Sequence, residues 1–141
     1  MSGSARASVV VANLDDDVCE VLARVVEAAG HQAVRVSEAD GVTRAVVAAY
    51  ADALLLDVGA ANLELLKELR SQAVPLAQTV RVVVVGTGPA SARLAWQNGA
   101  DAVLIRPFKS SEVGEALAAS LARRDEERTP ERQARIAALD G

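Results

Sequence analysis

GADAVLIRPF, Gly99–Phe108, packs a helix stop, a short apolar strand and a cation-proline-aromatic turn into ten residues. Gly99 closes the helical spacing of Ala90–Asn98, Ala102–Ile105 reads as a buried strand, and Arg106-Pro107-Phe108 ends it. Working outward, the same strand-then-helix order recurs. Arg81–Val85 (RVVVV) leads into the turn Gly86-Thr87-Gly88-Pro89, and Ala53–Asp57 (ALLLD) leads into a helix over Leu63–Arg70 that Asn62 is placed to cap. Ser8–Ala12 (SVVVA) precedes Asp15-Asp16-Asp17, acids suited to a helix N-terminus, and Val18, Val21, Leu22, Val25, Val26 and Ala29 follow at helical spacing up to Gly30. Ala33–Val36 is a second strand, with a small helix over Gly41–Tyr50. Ser110 or Ser111 is placed to cap a last core helix, Glu112–Arg123. Five strands without polar alternation, each followed by a helix, imply a parallel sheet covered on both faces, an α/β doubly wound (βα)5 fold.

Composition narrows the function. Of 141 residues 51% are hydrophobic and only Tyr50, Trp96 and Phe108 are aromatic, so the core is built from Val, Leu and Ala. The net charge of −4 argues against a nucleic-acid partner held by phosphate neutralisation. A lone cysteine, Cys19, forms no internal disulfide, and a lone histidine, His31, makes neither a Cys/His zinc site nor, from its turn, a Ser-His-Asp hydrolase. Apolar runs fall well short of the roughly 18 residues of a membrane span, and MSGSARAS carries no leader-like apolar core. The expectation is a soluble, cytoplasmic domain over residues 8–122, with residues 1–7 disordered. From Arg123 to Arg135 nine of thirteen residues are charged, so residues 123–141 read as a solvated extension, partly helical or disordered. Thr129-Pro130 is placed to open a short helix carrying Ile136 and Leu139.

In an open parallel sheet, ligands bind beyond the carboxyl ends of the strands. Those ends carry Asn13, Leu14 and Asp15 after strand one, Asp57 after strand three, Thr87 after strand four and Arg106 after strand five. A carboxylate, a hydroxyl and a cation on one edge suit phosphoryl chemistry: the first accepts the group, the second hydrogen-bonds it and the third balances its charge.

LLLD at Leu54–Asp57, the Thr87 turn, GADAVLIRPF and EVLARVVEAAGH at Glu20–His31 together resemble the receiver domain of bacterial response regulators, over roughly residues 8–122. The resemblance implies a flavodoxin-like fold with strand order 2-1-3-4-5, phosphorylation of Asp57 by a histidine kinase or phosphotransfer protein, and a cis bond before Pro107. It also implies at most an autophosphatase activity, and output through the face formed by the fourth helix, the fifth strand and the fifth helix. A magnesium ion would be held by two acids after strand one, the Asp57 carboxylate and a backbone carbonyl, that of Gly59.

The departures point elsewhere. An ungapped register puts Asn13 and Leu14 at the acid-pair positions, and Leu14 has no donor oxygen for a metal that demands oxygen ligands. A rival register would bring Asp15 and Asp16 there, but it turns Glu20 inward in place of Val18. The loop after Asp57 lacks the family's Met-Pro-Gly-Met-Asp-Gly text and is about three residues shorter. Arg106 replaces a lysine, presenting a planar fork in place of a point charge. Val103 stands where a switch aromatic would be.

Asp57 is therefore either a phospho-acceptor or an acid paired to Arg106, and Thr87 either recognises a ligand or stabilises its turn. The leading expectation is a divergent receiver, a pseudo-receiver that binds a signalling protein without magnesium or phosphorylation and has no cofactor. The alternatives are a working phospho-accepting receiver that uses magnesium, and a small-ligand-binding domain. Of the latter, cobalamin is disfavoured, since Asp17-Val18-Cys19 has cysteine where the axial histidine would stand. Trp96, one residue off the small face of Ala92, Ala95 and Gly99, is the expected interface anchor, with Arg93, Gln97 and Arg106 as rim and Val103 beside it, for a partner or a homodimer.

Overall fold

A computed structural model describes residues 6–140. Strands β1 (Ser8–Asn13), β2 (Gln32–Val36), β3 (Ala53–Asp57), β4 (Arg81–Gly86) and β5 (Ala102–Ile105) form one parallel sheet in the order β2-β1-β3-β4-β5. This is the flavodoxin-like order expected from the sequence. The central strands are buried on both faces, and their side chains alternate between two cores. Val10, Ala12, Leu54, Leu56, Val82 and Val84 meet helices α2 (Val42–Ala48), α3 (Asn62–Arg70), α4 (Pro75–Thr79) and α5 (Pro89–Gln97). Val9, Val11, Leu55, Val83 and Val85 meet α1 (Asp16–Ala28) and α6 (Ser110–Ala122) on the other side. None of the described helices is long and apolar enough to cross a membrane.

Several local expectations need correction. Asn62 does not cap α3. It begins the helix, and its side chain accepts the Val58 N–H at 2.8 Å and donates to the Val85 carbonyl at 2.9 Å, tying the β3 loop to β4. Neither Ser110 nor Ser111 caps α6: Lys109 is the cap residue, and the Glu112 carboxylate accepts its N–H at 2.8 Å. The five-residue α4 was not anticipated, being too short for a periodic signal. Of residues 1–7, the first five lie outside the described residues. Ala7 is buried, its carbonyl accepting from Gln32 and its N–H donating to His31 Nδ1 at 3.3 Å.

The charged extension forms helix α7 (Asp125–Asp140), which runs through Pro130 and lies along α5. A frayed tail would leave its arginines in water, whereas here Arg128 and Arg132 converge on one buried carboxylate. Asp101 is 2% exposed and receives Arg128 Nε at 2.8 Å and Nη2 at 3.0 Å, Arg70 Nη2 at 2.9 Å, Arg132 Nη2 at 3.2 Å and the Val82 N–H at 3.0 Å. Burial pushes the Asp101 carboxyl up, but these donors and the charges of Arg128 and Arg70 reverse that and hold it below its ordinary value. Burial likewise lowers Arg70 to about 10, against the pull of Asp101. Arg70 also reaches the Gly99 carbonyl at 2.6 Å, and Gly99, at φ +101°, leaves room for it: a Cβ there would stand 2.8 Å from Arg70 Nε.

Candidate functional site at the carboxyl edge of the sheet

Parallel pairing sets Asn13 beside Asp57, the last residues of β1 and β3. Asn13 Nδ2 donates to Asp57 Oδ2 at 2.7 Å, and its Oδ1 accepts the Asp15 N–H at 2.8 Å. Arg106 follows β5 and donates its own N–H to the Gly86 carbonyl at 3.1 Å, which aims its side chain back across the edge. Its Nη2 spans both Asp57 oxygens, 2.5 Å from Oδ1 and in contact with Oδ2. The bond between Arg106 and Pro107 is cis. Asp57 is 4% exposed, so both carboxylate oxygens are partnered within the protein.

The neighbouring oxygens are committed elsewhere. Leu14 is 56% exposed and projects no donor into the site. Asp15 caps α1, accepting the N–H groups of Asp17 at 2.9 Å and Val18 at 3.2 Å, while Asp16 and Asp17 form the exposed first turn. The Gly59 carbonyl, in a single helical turn entered at φ +62°, accepts the Asn62 N–H. No group of three acids, histidines or cysteines is placed to hold a metal among the described residues.

Thr87 is exposed at the head of the turn before α5. Its N–H donates to Ser91 Oγ at 3.0 Å; Ser91 also accepts the Gly88 N–H at 3.1 Å and bonds the Gly88 carbonyl at 2.9 Å. The turn is therefore stitched by Ser91, a role that the sequence reading did not assign.

Trp96 is where the structure departs furthest from expectation. It is 7% exposed, part of the core under α5, with the Arg135 guanidinium 5.8 Å from its ring centroid and Ile136 packed on the same core. Arg93 pairs with Asp140 at the far end of α7. Trp96 is thus not an open anchor, because α7 occupies the surface it would offer. Gln97 stays exposed, and Val103 is half-buried against the core. Cys19 is buried and donates to the Val11 carbonyl at 3.4 Å; burial pushes its thiol up, away from nucleophilic use.

Reading along the chain missed the Asp101 cluster. The available signal was the spacing of Arg128 and Arg132, four apart and so on one helix face, in a segment otherwise balanced by acids.

No family model matches the sequence, and no curated protein matches it. Solved structures do. A candidate response regulator from Chloroflexus aurantiacus J-10-fl is similar with a TM-score of 0.75 at 22% identity, covering 84% of this chain and 100% of its own. The receiver domain of a sensor histidine kinase from Pseudomonas aeruginosa, solved with magnesium in its active-site cleft, gives 0.72 at 17% identity, with 84% and 100% covered. The chemotaxis response regulator CheY4 of Vibrio cholerae gives 0.70 at 15%, with 82% and 99% covered. The fold is that of receiver domains.

Proposed function

We propose that this chain is a divergent receiver of bacterial two-component signalling, a cytoplasmic protein-interaction module that works without magnesium and without phosphorylation. The observation that carries the reading is the Asp57 carboxylate, held by Arg106 on both oxygens and by Asn13 on one. A carboxylate that attacks phosphorus needs a free oxygen and a strong positive charge to draw the incoming group. Here Arg106 already neutralises it, and Leu14, the Asp15 cap and the engaged Gly59 carbonyl leave no oxygen set suited to an octahedral cation. The residues present do not fit magnesium. The same reading makes the protein no enzyme, and gives its signal to a partner that recognises its surface.

A working phospho-accepting receiver is the second reading, favoured by the exposed Thr87 hydroxyl on the same edge as Asp57. Beryllofluoride with magnesium, a stand-in for the phosphoryl group, separates the two by chemical-shift mapping. Unchanged amides around Asp57, Thr87 and Arg106 at low-millimolar reagent are expected, and shifts there would establish the second reading. Recovery of one partner in equal amount by wild type, Asp57→Asn and Asp57→Glu is the matching expectation in a pull-down.

A further inference from the structure

Between α3 and α5, over the ends of β3 and β4, lies a cleft of about 400 Å3, within the size range of small-molecule sites. Leu63, Leu66, Val84, Leu94 and Ala95 make its walls apolar. The polar groups of Asn62 and Ser91 inside it are already spent on backbone partners. Two groups are not: the Thr87 hydroxyl, and the Nε and Nη1 donors of Arg106, none of which has a hydrogen-bond partner among the described residues. Among the described residues, Arg106 is also the one charged residue lining the cleft.

The geometry points to a binding site for a small monoanionic amphiphile, a carboxylate on an apolar body. The body replaces water along the leucines, and the head takes a free N–H donor of Arg106 and the Thr87 hydroxyl. A guanidinium has five N–H donors directed to different sides, so Arg106 serves Asp57 through Nη2 and a second carboxylate through one of its other nitrogens. Asp57 already balances the Arg106 charge, so the head is held by directed N–H and O–H donors more than by net charge. A dianion, costlier to desolvate and more strongly repelled by Asp57, is disfavoured. The assignment rests on the foregoing reading for its biological role, in which ligand occupancy replaces the phosphoryl group as input to the same edge.

The test is an amide-shift titration of the full chain with octanoate, beside 1-octanol, acetate and octyl phosphate. Octanoate is expected to shift amides of Gly86, Thr87, Leu94 and Arg106 and to bind about tenfold or more tighter than each of the others. Leu94 is half-exposed at the cleft, so its replacement leaves the core intact. Leu94→Glu should weaken octanoate about tenfold and Leu94→Lys should not, while Asp57→Asn should tighten it severalfold by releasing Arg106. Silence at these amides up to several millimolar octanoate, equal binding of 1-octanol, or indifference to Leu94→Glu would each overturn the site. Beryllofluoride on the same samples keeps the two proposals apart: a response to it sinks the magnesium-free reading, and octanoate alone decides the cleft.

Discussion

At the scale of single residues, the edge of the sheet is governed by one buried carboxylate and its two donors. Arg106→Gln should cost about 1–3 kcal/mol in urea denaturation, because Asp57 is left in a desolvated position with Asn13 as its only partner. Asp57→Asn should cost less, since Arg106 is half-exposed and rehydrates freely. A larger loss for Asp57→Asn than for Arg106→Gln would show that the pair is not organised in this way. The positions of Asn13, Leu14, Asp57 and Arg106 were legible in the sequence, because buried β-branched strands end sharply and their last residues must share an edge. What each side chain does there was not: whether Asp57 stands free or paired depends on the direction of Arg106, which the Gly86 carbonyl sets from another strand.

Elements tell a different story, and α7 is its centre. Asp101 is a carboxylate that the fold cannot hydrate, so its arginines are obligatory. Asp101→Asn should destabilise by about 3–5 kcal/mol, the cost of leaving buried guanidinium groups without their counter-charge. Because the native Asp101 carboxyl lies below its ordinary value of 3.8, its contribution is complete above that value and is lost as pH falls through the native one. Urea midpoints from neutral pH down to acid should therefore fall more steeply for wild type than for Asp101→Asn. Trp96→Ala should cost about 3–5 kcal/mol as a core truncation; a variant that melted like wild type would mean that α7 does not cover it. The five strands and most helices could be read in advance because apolar period decides them. The docking of α7 could not, since the ion pairs that anchor it join residues far apart, Asp101 with Arg128 and Arg132.

For the whole molecule, the fold is that of receiver domains, and the oxygens of Asp15, Asp57 and Gly59 at its carboxyl edge are engaged within the protein. Magnesium at a few millimolar should leave the melting temperature unchanged, because a ligand raises stability only by binding the native state. A rise of several degrees would mean that Asp15 or Asp16 reaches the metal and that the other register holds. The clamp on Asp101 also sets an order of events during synthesis. Chains emerge from the ribosome N-terminus first and fold as segments become available. All five strands are complete by Ile105, yet Asp101 stays short of two of its three arginines until Arg128 and Arg132 have followed. The nascent sheet therefore waits, with a carboxylate it cannot yet bury, for the last helix to arrive and close it.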